Sequence, residues 1–177
     1  MATVKLVSVC IGACTNSFRI GKDSSICGLG STAIGVGAGT TRDNATVVGS
    51  SAGANGDNAT VVGTDALTCG VNATVVGSSA AANGDNATVV GSSAVADGDN
   101  TTVVGRGAGT NGTNNTAVGA GAIACGRDTI VIQSGEACSG APAKSRIKIC
   151  GDNISFRING VCKSMTGSAF FAALGLS

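Results

Sequence analysis

A glycine recurs every fourteen residues at Gly21, Gly35, Gly49, Gly63, Gly77, Gly91, Gly105 and Gly119. A second series lies half a period away, at Gly28, Gly56, Gly70, Gly84, Gly98, Gly112, Gly126 and Gly140, broken only by Arg42. Fourteen residues are too few to bury a core of their own, so each repeat must stack on its neighbours. The period predicts one coil of a β-solenoid, two short strands joined by two glycine turns. The central repeats, such as NATVVGSSAGANGD (44–57) and NATVVGSSAVADGD (86–99), fit that reading. Each has a β-branched strand, a glycine turn, a strand of small residues, and a second turn of Gly, Asn and Asp that accepts positive φ.

Composition narrows the interior. Four Phe are the only aromatic residues, and Trp, Tyr and His are absent. Ala, Ser, Thr, Val and Ile can instead fill the gap between closely spaced sheets. Without His, and with carboxylates spread along turns, no nucleophile–base pair takes shape; no enzyme activity, cofactor or metal site is expected. Charged residues make up 12% of the chain and the net charge is +1. No basic surface therefore points to nucleic acid. No run reaches membrane-spanning length, and MATVKLVSVCIGAC lacks the apolar core of a signal peptide. The expectation is no membrane insertion, with a chain assembled in the cytoplasm or exported by another route.

Cys27, Cys69 and Cys125 share one repeat column, three and four coils apart. At about 4.8 Å per coil those gaps exceed disulfide reach within one chain. Small thiols, buried or half-buried, are expected there. Cys10 with Cys14, and Cys150 with Cys162, are candidate terminal bridges.

The degenerate end coils suggest which way side chains point. Val4-Lys5-Leu6, Phe18-Arg19-Ile20, Ile147-Lys148-Ile149 and Phe156-Arg157-Ile158 alternate apolar, basic, apolar. An unpaired charge is costly in so thin a core, so the middle column is read as outward. That turns Thr46, Thr60, Thr74, Thr88 and Thr102 inward, together with Val48, Val62, Val76, Val90 and Val104. They face an inward alanine column at Ala38, Ala52, Ala66, Ala80, Ala94, Ala108 and Ala122. Val47, Val61, Val75, Val89, Val103, Ala117 and Val131 then form an outward apolar stripe, which needs a cover. A second copy of the chain is the simplest cover, giving a trimer interface along that stripe. The competing orientation puts Ala45 and Val47 inward and the Thr–Val face outward.

The motif D-N-A-T-V-V-G-S-S-A-x-A-x-G resembles the head repeat of YadA-like trimeric autotransporter adhesins, over about residues 16–141. The resemblance implies an all-β, left-handed parallel β-roll with fourteen-residue coils, assembled as a homotrimer. No heptad-bearing stalk or membrane-anchor barrel is expected with the repeat, and similar rolls occur in phage and virus fibres. A structural shaft of about nine coils in a surface fibre or spike is the leading functional expectation. It would sit on a virion or cell surface. An adhesin head binding a host ligand is the alternative. An ice-binding solenoid is a third reading, disfavoured here because the Thr column is read as inward.

Residues 1–15 are expected to cap the first coil and 142–177 the last, since solenoid ends expose unpaired strand edges. Within 142–177, strands at 145–150 and 154–159 are separated by Gly151-Asp152-Asn153, and Asn159-Gly160 is a further turn signal. Phe170, Phe171 and Leu174 lie in a short apolar tail, read as a plug over the last coil or as a docking peptide for a capsid, fibre or cell-surface partner. Lys144, Arg146, Lys148, Arg157 and Lys163 cluster nearby. Eight N-x-[ST] sequons start at Asn44, Asn58, Asn72, Asn86, Asn100, Asn111, Asn114 and Asn153. Turn asparagine followed by strand threonine explains them without a glycan, and a glycan ladder is the alternative.

Overall fold

A computed structural model describes residues 16–132 with their side chains, and the backbone of three later strands. The coils alternate a longer and a shorter strand: β1 (Phe18–Ile20) and β2 (Ser25–Ile26), β3 (Thr32–Ile34) and β4 (Gly39–Thr40), β5 (Thr46–Val48) and β6 (Gly53–Ala54), β7 (Thr60–Val62) and β8 (Leu67–Thr68), β9 (Thr74–Val76) and β10 (Ala81–Ala82). They continue as β11 (Thr88–Val90) and β12 (Val95–Asp97), β13 (Thr102–Val104) and β14 (Gly109–Asn111), β15 (Thr116–Val118) and β16 (Ile123–Cys125), then β17 (Thr129–Ile132). β18 (Arg146–Ile149) ends a ten-stranded sheet made of the odd-numbered strands to β17, and the even-numbered strands from β2 to β16 form an eight-stranded sheet. Among the described residues there is no helix.

Pairing is parallel, at a register of one repeat: Thr60↔Thr74, Val61↔Val75 and Val62↔Val76. The turns stack as well. Gly63 N–H donates to Val48 O at 2.8 Å, Asp65 N–H to Ser50 O at 2.9 Å, and Asn72 N–H to Asp57 O at 2.9 Å. These corner donors thus find partners in the adjacent coil.

Glycine makes this stacking sterically feasible. A Cβ on Gly63 (φ +149°) would lie 2.2 Å from Gly77 O, and one on Gly84 would lie 2.1 Å from Gly98 O. Two further columns adopt the left-handed region. One runs through Asn44, Asn58, Asn72, Asn86, Asn100, Asn114 and Asp128, and the other through Ser51, Asp65, Ser79 and Ser93, all between +54° and +57°. Asparagine tolerates that region because its amide bonds locally. Here the amides bond along the stack: Asn58 Nδ2 to Asn72 Oδ1 at 3.2 Å, Asn72 to Asn86 at 3.3 Å, Asn86 to Asn100 at 3.2 Å and Asn100 to Asn114 at 3.3 Å. The sequon asparagines of these coils are turn residues tied into a ladder.

The core overturns the expected strand orientation. Val47, Val61, Val75, Val89, Val103 and Ala117 are 0% exposed and Val131 is 2% exposed. They lie inside their own coil, with Ala45, Ala59, Ala73 and Ala87 beside them and the alanine column from Ala38 to Ala122 opposite. That opposite column is inward as expected. Thr46 and Val48 flank the buried Val47 and are half-exposed, while Val62, Val76, Val90 and Val104 are exposed. A strand alternates faces at every residue, so one wrong parity reverses the whole set. Arg19 accounts for the difference. It occupies the Val47 column in the first described coil, half-buried, and its Nη1 donates to Ser24 O at 3.0 Å. A long guanidinium side chain reaches a carbonyl from an inward position that a short charged one could not.

Polar side chains enter the Ala45 column toward both ends of the described coils, each with a partner. Ser31 Oγ donates to Arg42 O at 2.8 Å and accepts from Ala45 N–H at 3.1 Å. Asn115 Nδ2 donates to Gly126 O at 3.0 Å and its Oδ1 accepts from Thr129 N–H at 3.0 Å. In the second sheet's inward column, between Ala96 and Ala124, Thr110 Oγ1 is buried with no hydrogen-bond partner among the described residues.

The chain divides into two compact units after Ile147. In the second, β19 (Asn153–Ile158) and β20 (Val161–Thr166) pair antiparallel, with Ile158↔Val161 as the last pair. The turn signal read at Asn159-Gly160 lies outside the described residues. The expected N-terminal cap, the tail bearing Phe170, Phe171 and Leu174, Cys10, Cys14 and Cys150 lie outside the described residues.

Candidate interaction surfaces

The parity reversal moves the outward apolar stripe by one residue. The outer face of the first sheet carries Ile34, Val48, Val62, Val76, Val90, Val104, Val118 and Ile132 in one column. Val62, Val76, Val90 and Val104 are 37–40% exposed and Ile132 is 56% exposed. Two residues earlier on each strand, Thr32, Thr46, Thr60, Thr74, Thr88, Thr102 and Thr116 form a parallel hydroxyl column, half-exposed or exposed. β-Branched packing and continuous parallel pairing fix both columns on a regular lattice. The chemistry is a ribbon of methyl groups edged with hydroxyls, suited to packing against an apolar or regularly spaced surface.

The predicted interface residues Val47, Val61, Val75, Val89, Val103, Ala117 and Val131 are brought into one column, as read. Their burial inside the coil prevents them from touching a second copy. The signal for the correct parity was present. The four coils that start at Asn44, Asn58, Asn72 and Asn86 each place a hydroxyl at the Thr46 position and a lone methyl at the Ala45 position, and a row of buried hydroxyls would need a row of partners.

The second sheet presents a different face. Its outward columns are small or mixed, with Gly53, Leu67, Ala81, Val95 and Gly109 in one and Cys27, Asn55, Cys69, Asn83, Asp97, Asn111 and Cys125 in the other. Cys27 and Cys69 are exposed thiols and Cys125 is half-buried, so the column lies nearer to solvent than expected. At the edge, Asp43 Oδ1 accepts from Leu29 N–H at 2.8 Å, Asp85 Oδ1 from Val71 N–H at 2.8 Å and Asp99 Oδ1 from Asp85 N–H at 2.9 Å. These carboxylates satisfy backbone donors of the preceding coil. Among the described residues, no group of three or more His, Cys, Asp or Glu side chains is placed to hold a metal ion.

The YadA head domain repeat, as a family model, matches residues 28–52, 43–66, 70–94, 82–108 and 96–122, together more than half of the chain. Among solved structures, the collagen-binding domain of the Yersinia adhesin YadA superposes with a TM-score of 0.62 at 19% identity, covering 86% of this chain and 87% of that one. At that identity the likeness is one of fold. No curated protein matches the chain.

Proposed function

The chain belongs to the YadA head-domain repeat family, and from that premise we propose that it is an adhesive head module, displayed on a surface and assembled as a homotrimer. The observation that carries the assembly is the first sheet's outer valine column, a regular apolar ribbon whose strands are also buried on their other face. A strand apolar on both faces fits a sheet with core on one side and interface on the other. Packing three such ribbons around a common axis removes them from water. It leaves the second sheet and both turn edges facing outward, available to a ligand. Family membership favours the adhesin over a fibre shaft in a virion, because the matched repeat is that of an adhesin head. Collagen is the first ligand to try, since the structurally similar Yersinia domain is collagen-binding.

Sedimentation equilibrium of the purified chain, followed by titration onto immobilised collagen and other matrix proteins, tests the reading. A monomer at micromolar concentration refutes the trimer. A trimer that binds none of the matrix proteins returns the chain to a structural role.

The outward threonine column gives the ice-binding reading a support it lacked, because Thr60, Thr74, Thr88 and Thr102 stand in register on a parallel sheet. It requires the same face to remain open to solvent, so it competes with the trimer. Thermal hysteresis from a monomeric sample would favour it, and a stable trimer without hysteresis would eliminate it.

A further inference from the structure

The second glycine column is preceded by asparagine in three described coils, giving Asn55-Gly56, Asn83-Gly84 and Asn111-Gly112, and by aspartate at Asp97-Gly98. Before glycine, the backbone nitrogen can approach an asparagine Cγ with little steric hindrance. All three asparagines are exposed on the outer face of the second sheet, opposite the face proposed for assembly. Their surroundings differ. Gly112 N–H donates to Asp97 O at 2.8 Å, which ties that nitrogen into the stack. Asn83 is held by its side chain, whose Nδ2 donates to Asp97 Oδ1. Neither restraint operates at Asn55. Among the described residues, Gly56 N–H makes no backbone hydrogen bond and the Asn55 side-chain amide has no hydrogen-bond partner, although its backbone N–H donates to Thr68 O at 2.8 Å.

Arg42 separates Asn55 further from the other two. This residue, the one break in the glycine column, donates from Nε to Asn55 O at 3.0 Å. That carbonyl and the Gly56 nitrogen belong to one peptide unit. When the amide proton leaves, negative charge spreads over nitrogen and oxygen. A permanently charged guanidinium on the oxygen favours that anion. Asn111 O, by contrast, accepts from neutral donors, Gly126 N–H at 2.8 Å and Asn115 Nδ2 at 3.3 Å.

We propose that Asn55-Gly56 is a self-modifying site, a spontaneous deamidation centre activated by Arg42. The Gly56 nitrogen attacks Asn55 Cγ, the new C–N bond forms as Cγ–Nδ2 breaks, and the side-chain nitrogen leaves as ammonia, taking up the amide proton. Solvent water then opens the five-membered imide at one carbonyl to give aspartate, or at the other to give isoaspartate. Plain aspartate suits this position, since Asp97 already occupies it three coils further along the column. Isoaspartate does not. It inserts a backbone carbon directly before a glycine whose Cβ would lie 1.9 Å from Gly70 O, so the stack must open locally.

The test is incubation of the full chain at mildly alkaline pH in heavy-oxygen water, with peptide mapping of all three sites over time. The expected result is label first at Asn55, with both aspartate and isoaspartate products, and slowest conversion at Asn111. Arg42→Gly, which restores the repeat, and Arg42→Gln, which keeps a long side chain, should each slow Asn55 about tenfold, the order set by one charge-assisted hydrogen bond to a developing anion. Asn83 in the same molecules serves as the internal reference and should not change. Asn55 reacting no faster than Asn111, aspartate forming without isoaspartate, or an unchanged Asn55 to Asn83 ratio in both Arg42 variants would overturn the proposal.

Discussion

Val75 and Val76 are adjacent on β9 and face opposite ways, so the same substitution at each should fail differently. Val75 is 0% exposed within the coil, and Val76 is 38% exposed on the outer face. Val75→Asp places a carboxylate among alanine and valine methyls, and the Arg19 guanidinium of the same column lies four coils away, too far to meet it. The lost burial is about 2 kcal/mol and the uncompensated charge adds several more. That total rivals the whole stability of a domain, which is about 5–15 kcal/mol. Val76→Asp leaves the coil interior intact and its carboxylate hydrated, so the isolated chain should melt within about 0.5 kcal/mol of the parent. Its effect falls on assembly. A valine with this exposure offers roughly 60 Å² to a partner, about 1.5 kcal/mol of burial per chain, and the carboxylate must also be desolvated at a further few kcal/mol. Summed over three chains, the trimer loses on the order of 10 kcal/mol, enough to abolish it at micromolar concentration. Circular dichroism melts and sedimentation equilibrium of both variants make the check. Val76→Asp remaining a trimer, or Val75→Asp keeping the parental melting point, would refute the orientation and interface argued above.

Three further outcomes follow from local geometry. Gly63→Ala drives a Cβ to 2.2 Å from Gly77 O at φ +149°, and denaturant titration should show a loss of at least about 2 kcal/mol. Ser79→Gly relieves a left-handed φ of +55°, as Gly107 already does two coils further along the same column. The gain should be a fraction of the roughly 1–2 kcal/mol cost of that region, read as a raised melting temperature. Thr110→Val removes the buried hydroxyl without a partner. A stabilisation of about 1–2 kcal/mol is expected, and a destabilised variant would mean that the hydroxyl is satisfied in solution.

The period, the two strands per coil and the parallel register were legible in the sequence because steric exclusion enforces them. At most positions in the two glycine columns, a Cβ would strike the carbonyl of the next coil. Which strand face lies inside was harder to read, since Val47 and Val48 are both β-branched and hydrophobicity does not separate them. The flanking Ala45 and Thr46 do separate them, through the cost of an unpartnered hydroxyl. The charged residue in a terminal coil outweighed that signal, although Arg19 met its cost through Ser24 O. The roles of Arg42 and of the asparagine ladder depend on contacts between residues a full coil apart, and only a structure with side chains reveals them.

The fixed stacking of the glycine and left-handed columns makes length a quantised property of the coil stack. Removing a whole repeat from its centre would bring each turn opposite an equivalent turn, shortening the stack by about 4.8 Å with its corners still matched. Removing one residue fewer would set side chains against carbonyls at every subsequent rung. The stack can therefore change its length only in whole steps, and a frame error of one residue inside the repeats should be far more damaging than the loss of an entire coil.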